Sequence, residues 1–317
     1  MYADSNDAPE SLPLCSVVMS TRNRPRLVVD AVESILGGRT VPTELIVVDQ
    51  SAEPNLELSR LEHPACDVRV IRSSSVGVCA ATNVGIRAAL HDVLVFTDDD
   101  VLADPGWLHA IVGALVRDGE RTVIAGQVIA GPPEIDGAEA VSITPEGKAE
   151  LHSGPQIVDP LPGNNWACFR SALADVGTFD ERLGRGARFP AAMDNDMGFR
   201  LLKAGYTIRY VPDALLVHRA WRAGGDLRRL EWIYGRGQGA FFAKHMTVRD
   251  AHMLKRLKTT ISWKHPIRRR PNGRDTIYLA GLISGAVQWL IEERLVRGLR
   301  DRATRASLVR QGRGDYG

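Results

Sequence analysis

Two groups of carboxylates in this chain of 317 residues have the types and spacing to do chemistry. The first is the triplet Asp98, Asp99 and Asp100, set in "VLVFTDDDVLADPGW". Adjacent like charges repel unless a cation, or a ligand bearing one, sits among them. Carboxylate oxygens are hard ligands suited to Mg2+ or Mn2+, ions that commonly bridge a protein carboxylate and substrate phosphates. The triplet therefore points to a divalent cation carrying a diphosphate. The second group is Asp194 and Asp196 in "MDND". A carboxylate held apart from a metal cluster can take the proton of an attacking hydroxyl. A cation that steadies a departing diphosphate, together with a separate base, is the minimum set for displacement at a carbon bonded to a diphosphate. The bland alternatives are exposed turn residues for the triplet, and helix-terminal duty for Asp194 and Asp196.

Such side chains need elements that bring them together. "CSVVMS" is a short apolar run ending in "TRNRP", where Pro25 suits the first position of a helix. Val28, Ala31, Val32 and Ile35 give that helix its buried stripe, and Gly37-Gly38 stops it. "ELIVVDQS" reads as a second strand ending at Asp49, and "DVRVIRSS" as a third. "VGVCAATNVGIRAAL" reads as a helix, "DVLVFTDDD" as a fourth strand, and Leu108, Ile111, Val112 and Leu115 mark the next helix. This alternation predicts an α/β fold, with a mostly parallel central sheet flanked by helices. Ligands in such sheets bind beyond the carboxyl ends of the strands, so Asp49 and Asp98 to Asp100 should meet at one crevice. The stretch from Gly126 to Gly163, rich in Gly, Pro and polar residues, predicts irregular structure with room for a hairpin. A further helix is expected to start at Asp194 or just after it, burying Met197, Leu201 and Ala204 and ending at Gly205. "YTIRYVP" then reads as a strand, with "ALLVHRA" leading away from it.

Composition bounds the class. With 44% hydrophobic and 25% charged residues the chain reads as an ordinary globular protein. "MYADSNDAPE" is acidic and polar where a secretory leader needs a basic and then an apolar stretch. The four cysteines, Cys15, Cys66, Cys79 and Cys168, form no CxxC pair and are expected as buried thiols in a cytoplasmic protein. A net charge of +2 hides an asymmetry: from Arg222 onward there are 21 Lys and Arg against 8 Asp and Glu. This predicts a catalytic domain over 12–225 and a basic, mainly helical extension over 226–317. Its partner would be an anionic surface, with lipid at the inner face of the membrane preferred and nucleic acid not expected. A solvated, arginine-rich helical cap is the alternative. The uncharged stretch Ile277 to Ile291 has only 15 residues, short of the roughly 20 a helix needs to cross a bilayer.

Eight segments in order carry a resemblance: "SVVMSTRNRP", "ELIVVDQS", "VGVCAATNVGI", "VLVFTDDDV", "GNNWACFRSAL", "VGTFDERLG", "MDNDMGFRLLKAGY" and "VPDALLVH". Together they resemble the inverting family 2 glycosyltransferases of the A-type nucleotide-binding fold, from Pro13 to Trp221. The resemblance implies a metal-dependent hexosyl transfer from a nucleoside-diphosphate sugar to an acceptor hydroxyl, in polysaccharide, cell-wall or glycoconjugate synthesis. It puts Thr21 and Arg22 at the nucleoside and Asn83 near the ribose or phosphates. Asp49 would accept the N3–H of uracil or thymine, implying a UDP- or dTDP-linked donor. Asp100 would ligate Mg2+ or Mn2+, with Asp98 or Asp99 at the ribose. His218 falls where an imidazole helps hold the metal or diphosphate, and Asp194 where the general base stands. The acceptor would be a glycan or lipid-linked molecule.

Two positions depart from the family. Thr82 stands where a basic residue is usual, so phosphate charge must be met elsewhere, by Arg22 or Arg188. Met193 replaces the usual Glu before the catalytic Asp, which removes a repulsion from Asp194. Trp166 and Trp221 could wall a sugar site, although large aromatics more often serve the core. A nucleotidyltransferase making the activated sugar would share the sheet, but it needs a Gly-rich phosphate loop and "STRNRP" has no glycine. A non-enzymatic basic binding module would leave the carboxylates without a role.

Overall fold

The computed structural model describes residues 12–144, 146–247, 250–264 and 273–311. The chain divides into two compact units, Met1–Leu227 and Arg228–Gly317.

The first unit is built on strands β1 (Cys15–Thr21), β2 (Glu44–Asp49), β3 (Asp67–Arg72) and β4 (Val93–Asp98), with helices α1 (Pro25–Leu36) and α2 (Val78–Ala88) between them. These strands are parallel, as the alternation predicts, and lie in the order β3-β2-β1-β4. The register aligns their carboxyl ends, setting Thr21 beside Asp49, Asp49 beside Arg72, and Ser20 beside Asp98. Alternate side chains feed two cores. Val17, Met19, Leu45, Val47, Val93 and Val95 join the core with α1 and α3 (Trp107–Asp118). Val18, Ile46, Val48, Leu94 and Phe96 join the other with α2, α4 (Arg170–Val176) and α5 (Met193–Lys203). Gly85 makes that second contact close, since a Cβ there would lie 2.4 Å from Val18 Cγ1.

Beyond β4 the sheet becomes mixed. After β5 (Val101–Ala103) and α3 come β6 (Thr122–Ala130), the short strands β7 (Glu139–Ala140) and β8 (Glu150–His152), β9 (Asn165–Phe169), β10 (Thr207–His218) and β11 (Trp221–Arg222). β9 runs antiparallel between β4 and β6, β10 pairs parallel with β6, and β5 and β8 pair antiparallel with β10. Two expectations change here. The supposedly irregular stretch opens as ordered strand, because Gly126 continues β6 and leaves room for the Asn165 amide. A Cβ at Gly126 would lie 2.3 Å from Asn165 Nδ2. That amide donates to Gln127 and Ala214 carbonyls and accepts from Trp107 Nε1 at 2.8 Å, tying three elements together. Likewise the segments on either side of Pro212 form one strand, β10, with a bulge between Val211 and Leu215. Proline is tolerated at such a bulge because it owes the ladder no N–H. All four cysteines are buried free thiols, as expected.

The second unit contains α7 (Ala251–Lys264), α8 (Gly273–Gln311) and most of α6 (Gly224–His245). Helices α6 and α8 touch backbone to backbone through glycines. A Cβ at Gly235 would meet Tyr278 O at 2.1 Å, at Gly239 Leu282 O at 2.0 Å, and at Gly285 Arg236 O at 2.0 Å. No larger residue fits at these positions. No helix among the described residues is long and apolar enough to cross a membrane. The Arg268–Arg270 run and the side chains of Arg297, Arg300 and Arg302, all part of the basic expectation, lie outside the described residues.

Candidate active site

The aspartate triplet caps β4 and turns into β5, so its side chains stand at the carboxyl edge of the sheet. Asp99 and Asp100 are buried and Asp98 is half-buried. Their immediate countercharge is Arg24, at the start of α1, two residues beyond the expected Arg22. Its Nη1 lies 2.7 Å from Asp99 Oδ1 and 2.8 Å from Asp100 Oδ2. Thr21 Oγ1 donates to Asp99 Oδ2 at 2.7 Å. Arg22 itself is exposed. Burial and the two neighbouring carboxylates, Asp100 and then Asp99, push the Asp98 carboxyl up to about 7. Burial also raises Asp99. Burial works the same way on Asp100, but the His218 bond and the charges of His218 and Arg24 outweigh it and hold Asp100 below the usual carboxylate range. The triplet thus contains one firmly ionised member and one that titrates near neutrality.

His218, at the carboxyl end of β10, is 5% exposed and carries a tautomeric constraint. Its Nδ1 lies 3.0 Å from the Val141 carbonyl oxygen. A carbonyl only accepts, so Nδ1 must carry the hydrogen. In a neutral ring Nε2 would then be a bare lone pair, 3.1 Å from Asp100 Oδ1. Two acceptors facing each other at that distance require a proton or a cation between them. Burial opposes charging the ring, but the Asp100 hydrogen bond and its field prevail and raise the His218 pKa. Proton and divalent cation are thus alternative occupants of one position. The donor set, carboxylate oxygen plus an imidazole lone pair, fits Mg2+ or Mn2+. Among the described residues no three of His, Cys, Asp and Glu form a closed cage. The protein would therefore supply few of the ligands and phosphate oxygens others, the usual pattern for Mg2+.

Asp49, on the neighbouring strand end, is 1% exposed. It is held by Arg72 and by the backbone N–H of Ser51 at 2.8 Å. A carboxylate offers about four acceptor sites, so capacity for a further N–H remains. Asn83 stands apart from this cluster. Its amide donates to Phe179 O at 2.9 Å and Glu181 Oε1 at 3.0 Å, and it accepts from Phe179 N–H. Both amide protons thus fasten α2 to the Phe179–Glu181 segment. Trp166 is 1% exposed and stacks on Phe96 with ring centroids 4.2 Å apart, so it belongs to the core.

Asp194 is the second residue of α5, which begins at Met193, one residue earlier than expected. The N-cap is Ala192, whose φ of 64° and ψ of 22° are left-handed, and no side chain caps the helix. Capping therefore does not explain Asp194. Its half-buried carboxyl faces Gly163, where a Cβ would lie 3.6 Å from Oδ2. Burial, with a further push from Asp159, raises its pKa to about 6. Asp196 is buried and paired with Arg200 at 2.9 Å, a structural role. The loop Leu183–Pro190 reaches toward both carboxylate groups. Gly184 packs against Val78, Cys79 and Met193, while the charge of Arg185 lowers the pKa of both Asp98 and Asp100.

Sequence reasoning missed Arg24, Arg185 and Asn164. Arg185, exposed on this loop, lies near the aspartates where Arg22 or Arg188 was expected. Asn164 is 4% exposed, and its Nδ2 has no hydrogen-bond partner among the described residues. It follows Gly163 directly, so an amide donor in need of an acceptor sits next to Asp194's neighbour. A buried donor of this kind needs an acceptor, which water or a bound ligand supplies.

Residues 16–177 match the model of the family described as glycosyl transferase family 2. The chain is 31% identical over 209 residues to the pre-mycofactocin glycosyltransferase of Mycobacterium tuberculosis, covering 64% of this chain and 42% of the relative. It is 29% identical over 125 residues to the hyaluronan synthase of Pasteurella multocida, covering 38% of this chain and 13% of the relative. The chain thus spans less than half the length of these curated relatives. Among solved structures, the mannosyltransferase PcManGT from Pyrobaculum calidifontis, in complex with GDP-Man and Mn2+, superposes with a TM-score of 0.57. Identity is 18%, covering 94% of this chain and 81% of that one. S. aureus TarS 1-349, in complex with UDP-GlcNAc, gives a TM-score of 0.55 at 16% identity, covering 77% and 70%. At these identities the likeness is one of fold.

Proposed function

This chain belongs to glycosyl transferase family 2, and from that premise we propose that it moves a sugar from a nucleoside diphosphate to an acceptor hydroxyl with inversion at the anomeric carbon. The observation that carries this reading is the separation of labour between carboxylates. Asp100 faces His218 Nε2 at 3.1 Å across a position that either a proton or a divalent cation can occupy. Asp194 lies on another element with a pKa of about 6. A bound Mg2+ or Mn2+, held by Asp100 and His218, would supply charge neutralisation for the leaving diphosphate.

The remaining roles fall to the protein. Thr21 and Arg22 flank the nucleoside, and Asp98 or Asp99 receives the ribose hydroxyls. Asp49 accepts the N3–H of a pyrimidine, favouring a UDP or dTDP donor. Arg24 and Arg185 offset phosphate charge that Thr82 cannot. Asn83 acts indirectly, by positioning the Phe179–Glu181 segment. Asp194 takes the proton of the acceptor hydroxyl as that oxygen attacks the face opposite the diphosphate. A base with a pKa near 6 is ionised at neutral pH yet basic enough to assist. The acceptor is a glycan or lipid-linked molecule met at the inner face of the membrane, a reading supported by the basic surplus of the C-terminal third.

The test is incubation with a series of nucleoside-diphosphate sugars and Mn2+. Slow release of nucleoside diphosphate, with proton NMR of the transferred sugar giving the inverted anomer, supports the proposal. Pyrophosphate exchange instead would indicate a nucleotidyltransferase, and no turnover with any donor a binding module.

A further inference from the structure

Helix α8 is apolar on two opposite sides, which explains why Ile277 to Ile291 carries no charge. One side, with Tyr278, Gly281, Leu282, Gly285 and Trp289, is buried. Its glycines bring it against α6, and a Cβ at Gly281 would lie 2.7 Å from Trp232 O. The other side is bare. Ile283 is 63% exposed, Val287 51%, Leu290 49%, Ile291 53% and Leu295 62%. Their spacing puts all five on one stripe of the helix. Of the exposed residues between Thr276 and Leu295, only Arg294 is charged. Single exposed apolar residues are ordinary, but a continuous stripe of five large ones marks a surface that meets something.

Charge decides between the two natural partners. Residues 228–317 carry 20 Lys and Arg against 7 Asp and Glu. A second copy would bring an equally basic unit against this one, whereas an anionic lipid surface complements it. The helix cannot cross such a bilayer, but an apolar stripe on a unit with a basic surplus suits a helix lying in the interfacial plane. We propose that the Ile283–Leu295 stripe of α8 seats in the headgroup–acyl boundary of an anionic bilayer, to which the basic surplus of the same unit draws it. The inference gives a place and an orientation to the surface-bound acceptor of the preceding reading, and rests on that reading only for what the surface would deliver.

The test uses the full chain with vesicles of phosphatidylglycerol and phosphatidylcholine, against phosphatidylcholine alone. The protein should sediment with the anionic vesicles only, less so as salt rises. Replacing Ile283, Leu290 and Leu295 together by Ser should raise the lipid concentration for half-binding at least ten-fold, with the circular dichroism spectrum kept. Because a triple change can disturb the helix, a second measurement places a polarity-sensitive probe on Val287→Cys, the four native cysteines being buried. Its emission should shift toward an apolar environment when anionic vesicles are added. Three outcomes overturn the proposal: no sedimentation at low salt, undiminished sedimentation of the triple variant, or a wild-type dimer in light scattering that the triple variant dissolves. None of these measurements involves a donor or turnover. The inference can therefore fail while the transferase reading stands, and the reverse.

Discussion

Asp194→Asn separates the chemical role of this carboxylate from a structural one, because the two roles move stability in opposite directions. Its carboxyl is raised from the ordinary 3.8 to about 6, first by burial and then by Asp159. A rise from 3.8 to about 6 corresponds to about 3 kcal/mol against the ionised form. The group is only half-buried, so screening by water reduces this to about 1–2 kcal/mol. A carboxylate raised in the folded state contributes its stability below the unfolded pKa and loses it as pH rises through the folded one. At pH 8 the ionised wild type therefore carries the full penalty, and near pH 4 it does not. The amide removes the penalty while its oxygen can still accept from the Asn195 N–H. The variant should thus melt about 2–8 °C above wild type at pH 8, with the gap closing toward pH 4. Turnover should fall by about 10²–10⁴-fold with donor affinity kept. The wild-type rate should decline below pH 6, whereas the residual rate of the variant should not follow that limb. Calorimetry for the donor, a transfer assay and thermal melts on one preparation decide it. A variant less stable at pH 8 would mean that Asp194 serves the helix N-terminus, and lost donor affinity would assign it to the diphosphate site.

Four further outcomes follow from the geometry. Asp100→Ala should abolish metal-dependent nucleotide binding while the circular dichroism spectrum is kept; calorimetry that gives equal binding with and without a chelator in wild type would refute the assignment. Arg24→Gln should lower the melting temperature of the metal-free protein, since Asp99 and Asp100 lose their shared cation, and Mn2+ should stabilise the variant more than wild type. Equal Mn2+ shifts would show that Arg24 and the metal do not share these carboxylates. UDP or dTDP should compete for the site better than GDP, and Asp49→Ala should flatten that preference; tighter binding of GDP by wild type contradicts the N3–H contact. Gly239→Leu should open residues 228–317 to limited proteolysis while the sheet unit survives, and an unchanged digestion pattern would mean that the helices tolerate separation.

How much of this was legible depends on how far apart in the chain the cause of each feature lies. β1, β2 and β4 could be read directly, because parallel strands covered on both faces are continuous apolar runs, and their ends fixed the positions of Asp49 and the triplet. β6 could not. Its continuation through Gly126 depends on Asn165, whose amide occupies the space a side chain would take. The proline-bulged β10 read as two pieces because its register is set by β6. At the site the same rule applies. Arg24 and Asp99 are 75 positions apart, so nothing local distinguishes Arg24 from Arg22. The tautomer of His218 is set by the Val141 carbonyl, 77 positions away, which no local pattern carries. The start of α5 was misplaced by one residue because Ala192 adopts a left-handed conformation that alanine seldom takes.

The glycine contacts between α6 and α8 also have a consequence in time. Gly235, Gly237 and Gly239 weaken α6, and Gly281 and Gly285 weaken α8, by about 1 kcal/mol each relative to alanine. Neither helix gains from its glycines until the other lies against it. During synthesis the last residue of α6, His245, is joined about 40 residues before Gly285, an interval of about 2–8 s at typical elongation speeds. For part of that interval the α8 glycines that α6 packs against are still untranslated. The close α6–α8 contact therefore forms only after Gly285 has been added, later than the contact of α7 with α6 through Arg256 and Phe241.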